Sequence, residues 1–323
     1  MEMVEGFVLL LSFLITISVI TGNILTIIAI LRKPKLNTIS NQFILGLAVA
    51  DLLVGFSIPY DTVMTALFGD KPIVTYSEYA IYCLVSLCPI FLSSVASFLH
   101  LMLIGLDRYF AITKPLEHKT FMTKTRARYA VCIAFFIATL AASPPIFWNN
   151  LPQEVGDGYG CATVTVKIYY YYFVLLGSYI STWILILLMY AKIARVASAR
   201  LPNNKKPLKM FAIIVSCYTI CWFPFMFCIF PVLYNNQHDV EKIFYISPEV
   251  LAFSYILASC NSAMNPIIYA WKLRGFRHAF EEYLRCGIKS SKNRDEPQSS
   301  SNPVVETDTK DTEKGKVLYC SLE

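Results

Sequence analysis

Leu84–Tyr109 reads LVSLCPIFLSSVASFLHLMLIGLDRY, and its first 23 residues contain no Asp, Glu, Lys or Arg. About 20 apolar residues at 1.5 Å rise each cross the hydrocarbon core of a bilayer, so this stretch is long enough to span one. It ends on Asp107-Arg108-Tyr109. The 25 residues from Cys83 to Arg108 correspond to roughly 37 Å of helix, which carries the chain from one face of the membrane to the other. An adjacent acid and base at the end of an apolar run exceed what a snorkelling arginine requires.

Six more runs of this kind surround it. The chain of 323 residues is 56% hydrophobic and only 15% charged, whereas a soluble domain carries roughly 25% charged residues. Helices are expected at 6–31, 41–67, 80–113, 126–148, 169–197, 205–234 and 246–271. The expected fold is therefore an all-α membrane protein, a seven-transmembrane helix bundle. A short amphipathic eighth helix follows, with Phe276, Phe280 and Leu284 recurring among charged residues. The expected divisions are an extracellular N-terminus at 1–5, the bundle at 6–272, the amphipathic helix at 273–286 and a disordered cytoplasmic tail at 287–323. So short an N-terminal segment holds no folded ectodomain, which points to a small molecule or short peptide as ligand. Internal repeats and the paired halves common in transporters are absent from the sequence.

Charge sets the orientation. Arg32, Lys33 and Lys35 follow the first run, and Lys119, Lys124, Arg126 and Arg128 lie between the third and fourth. Arg195, Arg200, Lys205 and Lys206 precede the sixth, and Arg274, Arg277 and Arg285 follow the seventh. The opposite loops hold Asp70, Glu78, Glu154, Asp157, Asp239 and Glu241. The positive-inside rule then puts the N-terminus outside and the tail inside. This asymmetry accounts for the net charge of +6 without a nucleic-acid partner. Glu2 and Glu5 leave no basic segment ahead of the first run, so it does not read as a cleaved signal peptide.

Of ten cysteines, most fall inside apolar helices and read as packing residues. Cys83, at the outer start of the third helix, and Cys161, in the long outer loop after the fourth, face an oxidising compartment, so a bridge between them is expected. Cys286, closing the amphipathic helix, is a candidate for palmitoylation. The outer segments hold no N-glycosylation sequon. No hydrolase, metal-enzyme or nucleotide motif occurs, and the chain reads as a non-enzyme.

Polar groups inside membrane helices are costly, so each marks a functional site. They are Asn23, Asp51, Ser97, Asn261 and Asn265, the last two at i and i+4 and hence on one helix face. Pro224 and Pro266 remove backbone hydrogen bonds and kink the sixth and seventh helices.

Asp107-Arg108-Tyr109, Cys221-Trp222-Phe223-Pro224 and Asn265-Pro266-Ile267-Ile268-Tyr269 together resemble the rhodopsin-like G-protein-coupled receptors. Gly22-Asn23 and Leu47-Ala48-Val49-Ala50-Asp51 extend the resemblance over residues 7–286. It implies a plasma-membrane receptor that couples an extracellular ligand to heterotrimeric G proteins. Receptor kinases and an arrestin would act on its tail, and membrane lipid would surround its helices. The activation switch would comprise Asp107, Arg108, Tyr109, Trp222, Pro224, Asn265, Pro266 and Tyr269, joined by Tyr190 in the fifth helix and by Leu116 as the apolar plug of the second inner loop. Asp51, Ser97, Asn261 and Asn265 would surround a hydrated sodium ion that modulates signalling, with no other cofactor. Ile90, Phe91, Ser94, Val174, Ser178, Phe225, Met226, Ile229, Tyr255 and Ser259 would line the ligand pocket.

By eye the adenosine receptors are most similar, through Thr125-Arg126-Ala127-Arg128, Phe211-Ala212-Ile213-Ile214-Val215 and the short third inner loop. The chain departs from them at ligand-contact positions, with Thr163 for an aromatic, Ile229 for an amide and Ser259 for a histidine. Thr182 replaces the usual proline of helix 5, and Ala134 the usual tryptophan of helix 4. Ile90 stands where aminergic receptors need an acid, and Ser259 where opsins need a lysine. Two alternatives come from other classes: a channel or transporter, resting on Asp51, and a receptor-like binding partner without G-protein coupling.

Overall fold

The computed structural model describes residues 2–68, 76–147, 168–200, 206–238 and 246–292. Seven long helices cross its core: α1 (Glu2–Arg32), α2 (Ile39–Phe68), α3 (Tyr76–Thr113), α4 (Lys124–Ala142), α5 (Gly177–Arg200), α6 (Lys206–His238) and α7 (Pro248–Lys272). An eighth, α8 (Arg274–Lys292), follows after Leu273 alone. The described residues contain no strand. Helix α1 packs on α2 and α7, and α6 packs on α5 and α7. Helix α3 runs through the middle, against α2, α4 and α5.

Local chemistry sets the ends. Thr123 caps α4 by accepting from the Arg126 amide at 3.2 Å, and Ser247 caps α7 ahead of Pro248. Helix α4 stops at Ala142, six residues short of the expected end, because Ser143-Pro144-Pro145 follows and Pro144–Phe147 forms a separate turn. Helix α1 begins at Glu2, ahead of the expected residue 6, so 2–5 belong to it. Helix α8 runs six residues past 286. The fifth run is not one regular helix. A π-helical segment, Tyr171–Leu176, precedes α5, and this local widening occurs without the proline that Thr182 replaces.

Five of the helices are long and apolar enough on their own to cross a membrane, and α6 adds the shorter apolar stretch Ser216–Val232. Helix α7 is less apolar because it turns Ser254, Ser259, Asn261, Ser262 and Asn265 into the core, all buried. Large apolar side chains point the other way: Phe13, Phe56, Phe136, Phe173 and Phe227 are exposed. In water such a surface would aggregate; in a bilayer it meets acyl chains.

Candidate functional site

The centre of the bundle is organised on Asp51, a fully buried acid of α2. Its Oδ1 accepts from the hydroxyls of Ser97 on α3 and Ser262 on α7, each at 2.8 Å. Its Oδ2 accepts from the Asn265 amide at 2.7 Å. Three helices thus meet on one carboxylate. Among the described residues no cationic side chain pairs with it. Of the residues singled out by sequence, Ser97 and Asn265 bond Asp51, while Asn261 does not; its Nδ2 is buried without a partner. Ser262 was not foreseen, since a lone serine in a membrane helix has no distinguishing pattern. Asn23 ties α1 to the same region, donating to Ser262 O at 3.2 Å. Close by, a Cβ on Gly22 would sit 2.9 Å from the Pro266 ring, so α1 and α7 pack closely there.

Above Asp51 lies an aromatic stack. Phe98 meets Trp222 edge-on at 4.9 Å and Tyr218 at 5.6 Å, and Tyr218 packs on Tyr179 at 5.2 Å. Trp222 Nε1 is buried without a partner. Further out, Phe91 is held between Tyr170 and Tyr171 at 5.1 and 5.4 Å, and Phe225 meets Tyr255 at 5.7 Å. Met226 and Ile229 are buried, and Ile90 and Val174 are half-buried. The hydroxyls of Ser94 and Ser259 donate to Ile90 O and Tyr255 O, one turn back on their own helices, and Ser178 likewise bonds Val174 O. Their oxygens keep lone pairs for acceptance.

At the inner end, Asp107 is only 1% exposed. Arg108 Nε lies 3.7 Å from its Oδ2, longer than a hydrogen bond. Its closer partners are Ser40 Oγ of α2, at 2.6 Å, and His118 Nε2 of the Pro115–Phe121 helix, at 2.9 Å. Neither was foreseen, because both come from other segments. A cavity of about 90 Å³ opens beside Arg108, lined also by Ser40, Asn41, Asn265 and Tyr269. Tyr269 is buried and packs on Phe276 of α8 at 5.6 Å. Tyr190 is half-buried, and no hydrogen bond joins it to Tyr269. Tyr109 lies under Lys192, whose Nζ is 5.8 Å from the ring centroid, and Leu116 is 80% exposed. Helix α8 is docked by buried Phe276 and Phe280, by a 2.6 Å Lys33–Glu282 ion pair, and by Arg277, which donates to Ala270 O and Trp271 O at the end of α7. Cys161 and the side chains of Cys83 and Cys286 lie outside the described residues, as do Thr163, the tail beyond 292 and the side chain of Asp61, the one charged residue that the sequence offers the outer part of the expected pocket.

Residues 22–269 match the family described as 7 transmembrane receptor (rhodopsin family). The chain belongs to this family. Its relatives include the adenosine receptor A2b of Gallus gallus, 28% identical over 85% of this chain and 87% of that one. The human adenosine receptor A2b is 27% identical over 88% and 93%. The melatonin receptor type 1C of Xenopus laevis is 28% identical over 85% and 66%. The protein is thus a multi-pass membrane receptor that signals through G proteins, and not an enzyme.

Within this receptor fold, the contact between α3 and α4 is built around His100. Ala134 is buried, and beside it in sequence Phe135 packs on the buried ring of His100 of α3 at 4.8 Å. The fit depends on Gly46 of α2, where a Cβ would lie 2.3 Å from His100 Nε2. His100 Nδ1 donates to Ala96 O at 2.7 Å, while Nε2 is buried without a partner.

Proposed function

We propose that this receptor sits in the plasma membrane with its N-terminus outside and answers an uncharged, planar aromatic small molecule held among α3, α5, α6 and α7. The supporting observation is the chemistry of the outer half. Phe91, Tyr170, Tyr171, Phe225 and Tyr255 offer rings at several angles, and Ser94, Ser178 and Ser259 offer acceptor oxygens. None of these side chains is charged, which suits a neutral ligand with a few N–H or O–H groups. The relatives named for adenosine and melatonin receive ligands of that general kind. Ile229 and Ser259 cannot supply the amide and imidazole that the resemblance associates with adenosine, so adenosine is at best a weak agonist here. Ligand binding above Trp222 shifts the stack of Phe98, Tyr218 and Trp222, and the inner end of α6 swings about Pro224 to open the cavity at Arg108 to the G protein. Arrestins and receptor kinases act later, on the tail.

A sodium ion at Asp51 belongs to the same proposal. The donor set supports it: a buried carboxylate without a cationic partner, two hydroxyl oxygens, and the unpartnered donors Asn261 Nδ2 and Trp222 Nε1, which water held by an ion would satisfy.

The test is a library of neutral aromatic and charged ligands, adenosine included, read through several G-protein subtypes in cells expressing the receptor. Saturable responses confined to neutral aromatic compounds are expected. A potent response to adenosine, or to charged amines or acids alone, would refute the reading.

A further inference from the structure

Side chains of α5 and of its π-helical start reach across to α6 at several levels. Tyr172 stacks on Phe230, with ring centroids 5.1 Å apart and planes within 9°. Tyr218 donates its hydroxyl to Tyr179 O at 3.3 Å. Trp183 Nε1 donates to the Thr219 hydroxyl oxygen at 2.9 Å, the shorter of the two hydrogen bonds. Because Thr182 stands where a proline would lack an N–H, α5 runs as regular α-helix from Gly177. Trp183 therefore follows Tyr179 at i+4 and shares its face toward α6.

These contacts divide at Pro224. Phe230 lies on its outer side, Tyr218 and Thr219 on its inner side. Thr219 is about 7.5 Å of helix from Pro224, and the inner end of α6 at Lys206 about 27 Å. A swing of about 20° at the proline moves that inner end about 9 Å and Thr219 about 2.5 Å. The aromatic stack stays in place, while the 2.9 Å bond is drawn out of range. Phe98 packs edge-on to both Tyr218 and Trp222, so a shift of the stack reaches the residue next to Thr219.

We propose that Trp183 is a positioning residue that, through Thr219, latches α6 to α5 in the resting receptor. The Tyr172–Phe230 stack holds the outer half of α6 still, and the latch sets how often the inner half opens without ligand. A single hydrogen bond between membrane helices shifts an equilibrium by about threefold, strong enough to hold α6 and weak enough to release it. The inference rests on the swing of α6 about Pro224 proposed above.

Three variants test it: Trp183→Phe, which removes the donor, Thr219→Val, which removes the acceptor at nearly the same shape, and Thr219→Ser, which keeps it. Spin labels on unnatural amino acids at Lys124 and Lys209 report the distance between the inner ends of α4 and α6 in ligand-free, full-length receptor in lipid nanodiscs. The long-distance population is expected to rise about threefold in the Phe and Val variants, the scale of one such bond. Ser restores the wild-type value, and combining Phe with Val adds nothing, since both remove one bond. Basal nucleotide exchange on G protein follows the same order. An unchanged population in Phe and Val, a Ser variant as open as Val, or additive effects in the double variant would overturn the proposal. Should one variant not reach the membrane, the other two still decide it. A single distance in every receptor would refute the swing and the latch together. A wild-type receptor that opens but activates no G protein would count against the coupling alone, and the label distances would still decide the latch.

Discussion

Asn265 of α7 donates its side-chain amide to Asp51 Oδ2 of α2 at 2.7 Å, joining two helices through a carboxylate that no cation among the described residues neutralises. Inward movement of α7 would shrink the space beside Asp51, so a cation bound there favours the resting bundle and, by linkage, opposes activation. Basal GTPγS binding in membranes is expected to fall when sodium replaces choline, by about fivefold, the lower end of coupling between sites. Asp51→Asn removes that dependence. A variant as sodium-sensitive as the parent at equal surface expression would exclude Asp51 as the ion site.

Arg108 lies beside the inner cavity with Asp107 as its near charge. Arg108→Ala is expected to lower G-protein nucleotide exchange about tenfold or more at matched expression, a loss of roughly 1.4 kcal/mol. The family resemblance implies a second acid, just ahead of α6 in sequence, that restrains this arginine in many receptors, and Asn204 stands at that position. Basal signalling above that of mock-transfected cells follows, and Asp107→Asn raises it further. Full coupling by Arg108→Ala, or basal output no higher than mock, would each contradict this account.

Gly46 touches the His100 ring closely enough that an added methyl has no room, at 2.3 Å from Nε2 and 3.0 Å from Val131 Cγ1. Gly46→Ala should therefore destabilise the receptor by about 1–3 kcal/mol, the usual cost of overpacking. The readout is lower surface expression and faster thermal inactivation. Gly46→Ala combined with His100→Ala should recover much of the loss, since the two sites are in contact and their effects are not additive. An equally damaged double variant would show that the clash lies elsewhere.

Cys83 at the outer end of α3 and Cys161 in the outer loop are expected to form a disulfide. Peptide mapping of surface receptor without reductant should yield one linked pair containing both residues, which reductant separates. Recovery of both as free thiols from correctly folded receptor would rule the bridge out.

Much of this arrangement is legible in the sequence because a membrane makes polar residues conspicuous. Asp51 and Asn265 stand out against apolar neighbours, Ser97 is marked by the family resemblance, and the three meet. Ser262 does not stand out, since its hydroxyl is equally at home bonding its own helix. Asp107 illustrates the other limit. Its neighbour in sequence is Arg108, yet its shortest bonds are to Ser40, 67 residues away, and His118, 11 residues away. Which loop folds back onto which helix end is a matter of three-dimensional packing. The early stop of α4 was written in Pro144-Pro145, whereas the π-helical stretch at Tyr171–Leu176 arises without a proline and leaves no such mark.

If α7 bends at Pro266 on activation, its near-contact with Gly22 would serve as a fulcrum. With Pro266 set against α1 and Asn23 bonded to Ser262 one turn further out, the outer part of α7 would be anchored, and the residues from Pro266 to Lys272 would move together with α8, to which Arg277 and Phe276 tie them. Tyr269 rides on that segment about 4.5 Å beyond the pivot. Small rotations there re-aim one ring without disturbing the ligand end of the helix. A bulkier residue at 22 would shift the pivot itself, altering how far signalling movements reach rather than whether the ligand binds.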